Sequence, residues 1–125
     1  MPIIHAAQAA RFDLDGFHFL GFTSPSRGAT ELCTWQLDVD PGATSDAHRL
    51  NHEEVFIPLQ GTLSVVLDGE EMEVTAGDAC AVPAQCLLQV ANRSNESVRA
   101  LVCVSAGIKA IFADGREIGT PPWAQ

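Results

Sequence analysis

The chain has 125 residues, a length suited to one domain around a single buried core, and its 46% hydrophobic and 18% charged content excludes an intrinsically disordered chain. A net charge of -9, with only 7 Lys and Arg and no cluster of them, excludes a nucleic-acid binder and disfavours an anionic membrane surface. The start lacks the basic residues and long apolar run of a secretory signal, and no later run reaches membrane-spanning length. The expectation is a cytoplasmic chain with no membrane partner.

In chain order, residues 1–29 read as an N-terminal arm and short strands, 30–112 as a barrel core and 113–125 as an irregular tail, all within one domain. The segment from Ala6 to Ala10 fits a helical turn or an extended arm, and the arm is preferred. Arg11 to Leu14 and Phe17 to Phe22 then form short strands around an Asp15-Gly16 turn. Glu31 to Val39 alternates, with Cys33, Trp35, Leu37 and Val39 on one face, as a half-buried strand requires. Asp40-Pro41-Gly42 ends it. Thr62 to Leu67, Asp68-Gly69 and Glu70 to Val74 form a hairpin with a strong local signature. Further strands are expected at Ala79 to Val82, Cys86 to Ala91, Ser97 to Ser105 and Ile108 to Phe112. Many short strands, turn signals between them and no convincing helix predict an all-β sandwich or barrel.

The four cysteines, Cys33, Cys80, Cys86 and Cys103, form no C-x-x-C pair and sit in apolar segments, the pattern of free thiols in a reducing compartment. Trp35 and Trp123 read as core or interface, His5 and His18 as structural, Glu53 as a surface charge, and Arg27 and Arg49 as solvated. Serine hydrolase, NTPase and Rossmann fingerprints are absent.

The residues that organise the chain lie between Pro41 and Gly61, where Gly42 is followed after five residues by His48, then by Glu54, then after six residues by Gly61. A companion stretch has Gly77, five residues, Pro83 and then Asn92. These two spacings resemble the paired motifs of the cupin family over roughly residues 30–105. The resemblance implies a double-stranded β-helix, a small jelly-roll barrel whose mouth holds a metal or a small ligand. It also implies a homodimer, formed by N-terminal strands exchanged between subunits.

Three positions depart from the family pattern. Leu50 stands where a second His belongs, Leu88 where the lone His of the second motif belongs, and Gln85 where a Gly is expected. Of the four metal ligands the resemblance supplies, His48 and Glu54 remain, and two donors hold a divalent ion poorly. His52 shares the strand parity of His48 and Glu54, so a fully extended segment would assemble two imidazoles and a carboxylate, a non-haem iron set. A loop there would instead turn His52 outward. Cys86 shares the parity of Leu88 and offers a thiolate.

The pocket expected from this reading comprises His48, Leu50, Glu54, Phe56, Cys86 and Leu88, with His48 and Glu54 as its polar end. It suits a largely apolar small molecule held by a few polar contacts, with no certain cofactor. The alternative is a small metal-dependent dioxygenase or isomerase using a divalent transition metal on His48, His52 and Glu54. A module serving mainly assembly is a third.

Overall fold

The computed structural model describes residues 3–125. The strands are β1 (Ala10–Leu14), β2 (Phe17–Thr23), β3 (Leu32–Val39), β4 (His48–Leu50), β5 (Glu54–Gln60), β6 (Thr62–Leu67), β7 (Glu70–Thr75), β8 (Cys80–Val82), β9 (Leu88–Ala91), β10 (Val98–Ser105), β11 (Ala110–Phe112) and β12 (Glu117–Gly119). They form two antiparallel six-stranded sheets, ordered β1-β2-β3-β10-β5-β8 and β12-β11-β4-β9-β6-β7. The chain passes repeatedly from one sheet to the other, and the result is a jelly-roll barrel.

Alternation explains the layering. In β3 the side chains of Cys33, Trp35, Leu37 and Val39 are buried while Thr34, Gln36 and Asp38 are more exposed, and β10 repeats the pattern with Val98, Ala100, Val102 and Val104. These two central strands pair over eight positions, from Val98 opposite Val39 to Ser105 opposite Leu32. One core cluster joins both sheets, from Phe17, Trp35 and Val102 on one side to Leu63, Val65 and Leu88 on the other.

Turn chemistry sets the register of the hairpins. Asp15-Gly16 joins β1 to β2 and Asp68-Gly69 joins β6 to β7, with both residues of each pair at positive φ, as a tight hairpin turn requires. Gly61 closes β5 at φ 81, and a Cβ there would lie 3.1 Å from Val98 Cγ2 and 3.2 Å from the Ser97 carbonyl. Backbone conformation and close approach both demand glycine at this position of the motif. Asn92 is its counterpart in the second motif. Fully buried, it donates through Nδ2 to the carbonyls of Val39 (3.0 Å) and Glu96 (2.6 Å), while Oδ1 accepts from the Ser94 amide and hydroxyl. It ties the β9–β10 turn to the end of β3.

Two segments differ from the sequence expectation. The start of the predicted arm, Met1 and Pro2, lies outside the described residues, and Ala6–Gln8 forms a 3-10 turn. Beyond it β1 pairs with β2 of its own chain, from Ala10 opposite Gly21 to Leu14 opposite Phe17. The C-terminal segment, expected to be irregular, supplies β12 and a further 3-10 turn, Pro122–Ala124. Ser26 Oγ and the Ser26 amide donate to the Gln125 carbonyl, and the Arg27 guanidinium donates to the Trp123 carbonyl at 2.8 Å. Arg27, read as solvated from the sequence, is therefore the clamp of the tail. No helix among the described residues is long and apolar enough to cross a membrane.

Candidate functional site

Between the sheets lies a cavity of about 570 Å³, within the range of small-molecule sites. Its wall gathers five of the six phenylalanines and both tryptophans, while none of the 7 Lys and Arg residues lines it. The exposed lining residues Asp13, Asp15 and Asp46 mark its mouth. Farther in, the ionisable side chains on the wall are His48 and Glu54.

His48 opens β4, directly opposite Leu88 of β9 and Phe112 of β11. Its ring is half-buried, and Nδ1 lies 2.8 Å from the Asp46 carbonyl. A carbonyl only accepts, so Nδ1 carries a proton, and in the neutral tautomer this leaves the lone pair on Nε2. That nitrogen is an acceptor for a ligand, a base, or a metal donor.

Glu54 opens β5, opposite Val82 of β8 and Val104 of β10, so both same-face neighbours are apolar. The residue is 5% exposed, and burial alone pushes the carboxyl up to about 8. No protein hydrogen bond contributes to that rise among the described residues. At neutral pH the group is mainly a protonated carboxylic acid and offers a hydroxyl donor to the cavity.

The aromatic wall is assembled largely by the tail. Trp123 stacks on Phe19 of β2, with centroids 3.6 Å apart and planes at 7°, and stands edge-on to Phe12 (6.3 Å, 61°) and Trp35 (6.4 Å, 65°). Trp35 is 3% exposed, and its indole N–H has no conventional partner among the described residues. Sequence reasoning assigned both tryptophans to core or interface. The spacing between residues 35 and 123 carries no signal of their meeting, because the contact depends on the tail folding back over β2.

The structure brings together four of the six expected pocket residues: His48, Leu50, Glu54 and Phe56 all line the cavity. The other two lie elsewhere. Leu88 is 1% exposed in the packed core, and Cys86 precedes β9, where its thiol donates to Asp68 Oδ2 at 3.3 Å. Cys86 misses the wall because Gln85, at φ 68, breaks the strand before β9 begins. His52 sits in the exposed turn between β4 and β5, so the strand parity that would have turned it inward does not hold.

The donor set therefore does not fit a divalent metal. Leu50 occupies the wall beside His48 and Glu54, His52 faces solvent, and Cys86 bonds a surface carboxylate. Among the described residues no group of three His, Cys, Asp or Glu side chains converges as a metal site.

Comparison with solved structures places this arrangement among known barrels. A sugar phosphate isomerase of the cupin superfamily from Silicibacter pomeroyi superposes with a TM-score of 0.74 at 22% identity, covering 90% of this chain and 82% of that one. The polyketide cyclase RemF from Streptomyces resistomycificus gives 0.75 at 17% identity, over 98% of this chain and 88% of its own. An RmlC-like cupin from Shewanella frigidimarina gives 0.72 at 21%, over 84% and 90%. At these identities the likeness is one of fold. No curated protein sequence matches the chain significantly. The cupin domain model matches residues 35–104, which contain both motifs, His48, Glu54 and most of the two central strands, and so the chain belongs to the cupin family.

Proposed function

We propose that this protein is a small-molecule-binding cupin barrel whose cavity is anchored by His48 and Glu54, is otherwise apolar, and works without a resident divalent metal. One observation carries the reading: a cavity of about 570 Å³ with an aromatic and aliphatic wall and two inner ionisable groups. Such a site orients a ligand through a few polar contacts and gains affinity from apolar area removed from water. His48 Nε2 accepts a hydrogen bond from the ligand and the Glu54 carboxylic acid donates one.

The names of the similar structures bear on the ligand. A sugar phosphate carries an anionic ester, for which this wall supplies no Lys or Arg. A polyketide carries carbonyl and hydroxyl groups on a carbon skeleton, which such a wall accommodates.

The test is a thermal-shift screen of uncharged fragments and of divalent metal ions, run beside elemental analysis of dialysed protein. Fragment-induced stabilisation that is lost in His48→Ala supports the reading. Stoichiometric metal that survives dialysis and disappears in His48→Ala would transfer the protein to the metal-enzyme class.

The same reading includes a homodimer in a reducing compartment. Supporting it are the outer edge of β1, exposed apolar side chains on β5 and β10 (Ile57, Leu59, Leu101), and four unpaired thiols. Sedimentation showing only monomer at micromolar concentration removes the dimer.

A further inference from the structure

We propose that the cavity selects a ligand built on a planar aromatic ring system, seated against the Phe19–Trp123 stack, and rejects anions of the same shape. This rests on the small-molecule reading above and names the class of molecule that the site takes.

The first ground is where the aromatic residues are. Aromatic side chains make up 6% of the chain, yet all but Phe22 line this one cavity. An apolar pocket needs no such concentration, since Leu, Ile and Val fill space equally well and dominate the rest of the core. Aromatic rings add a directional term, because their quadrupoles favour offset-stacked and edge-to-face neighbours over other arrangements.

The second ground is geometry already in place. Phe19 and Trp123 lie parallel at 3.6 Å, and Phe12 and Trp35 meet Trp123 at 61° and 65°. One parallel and two edge-on contacts thus meet at one indole. A flat ring seated in the cavity meets rings already held in these two orientations. The tail that carries Trp123 is fixed by Arg27, Ser26 and the Cys33 thiol, which reaches the Ala124 carbonyl at 3.5 Å, so the wall is held before a ligand arrives.

The third ground is charge. Asp13, Asp15 and Asp46 at the mouth and Glu54 inside are all acidic or neutral groups, and no Lys or Arg lines the wall to offset an anion. His18, next to the mouth, is bonded to both Asp13 and Asp40. A carboxylate or phosphate on the ligand would lose its hydration without a cationic partner. A cation meets no such penalty, since aromatic ring faces and the acidic mouth attract it, so the discrimination is against anions.

The chain carries its own reporter, since both of its tryptophans stand in the wall. The full-length protein is titrated at neutral pH with four probes of one skeleton, read by tryptophan fluorescence and by calorimetry. The probes are 2-naphthol (planar and uncharged), 2-naphthoate (anionic), 2-(aminomethyl)naphthalene (cationic) and decahydro-2-naphthol (uncharged and neither planar nor aromatic). The expected result is that 2-naphthol binds with 2-naphthoate and decahydro-2-naphthol each weaker by about tenfold or more, and that the cationic amine binds more tightly than 2-naphthoate. In Trp123→Leu and, separately, in the edge-strand variant Phe12→Leu, the margin over decahydro-2-naphthol shrinks by calorimetry while melting stays cooperative.

Equal binding of decahydro-2-naphthol and 2-naphthol overturns the aromatic selection and leaves the small-molecule reading standing. Naphthoate binding as tightly as naphthol or the amine overturns the charge selection. Folded protein that binds none of the four overturns this inference, and the reading beneath it falls as well when the fragment screen is also blank.

Discussion

Replacing Glu54 by glutamine tests whether burial controls this carboxyl. In the native barrel the group titrates at about 8, raised from an ordinary 4.5 by desolvation alone. The folded value lies above the unfolded one. Between them the unfolded chain has released its proton while the native state retains it, so native protein binds more protons and stability falls as pH rises. The contribution is fully present below the unfolded value, is lost steadily through the interval, and stays lost above the folded value. At ~1.4 kcal/mol for each pH unit between the two values, the full loss is on the order of 5 kcal/mol, as large as the whole stability of a weakly stable domain, about 5 kcal/mol.

A glutamine side chain at this position has the same shape and no proton to lose. The assay is urea unfolding of wild type and Glu54→Gln across pH values from about 5 to 9, followed by far-UV circular dichroism. Taking the difference between the two proteins at each pH cancels groups that titrate in both. One such group is His18, raised by its bonds to Asp13 and Asp40, whose contribution also fades with rising pH. The variant is expected to gain on wild type by ~1.4 kcal/mol per pH unit through the interval. A difference that stays flat to within about 0.5 kcal/mol would refute the claim that burial holds this carboxyl protonated.

Three further expectations rest on single residues. Gln85 occupies a left-handed conformation at φ 68 where the family motif carries glycine, so Gln85→Gly stabilises by about 1 kcal/mol by denaturant midpoint; a destabilised variant would show that its side chain contributes more than its backbone costs. Asn92→Ala orphans the Val39 and Glu96 carbonyls and the Ser94 donors, and costs roughly 2–3 kcal/mol. A loss under about 0.5 kcal/mol would rule out its role as the tie between the β9–β10 turn and β3. Arg27→Ala removes the donor to the Trp123 carbonyl, destabilising by about 1–2 kcal/mol and exposing the tail amides to hydrogen exchange. Unchanged exchange at residues 120–125 would mean that the stack on Phe19 suffices to hold the tail.

Much of this protein is legible in local sequence. Period-2 burial in β3 and β10, the Asp15-Gly16 and Asp68-Gly69 turns, and the requirement for glycine at Gly61 follow from pleat geometry and backbone sterics, which act over a few residues. The motif spacing likewise located His48 and Glu54, because each begins a strand whose position is set by a nearby turn. Other features were settled only when distant segments met. Strand parity could not place His52 or Cys86, since a turn and a left-handed Gln85 interrupt the strands that would have carried them inward. Nor does anything near residue 123 disclose that the tail returns to stack on Phe19 and complete the aromatic wall, a contact between opposite ends of the chain that exists because Arg27 and Ser26 bind its backbone. Local patterning thus specified the barrel and its two polar anchors, whereas packing between remote elements decided the character of the cavity, because that character is a sum over side chains that meet only in the folded chain.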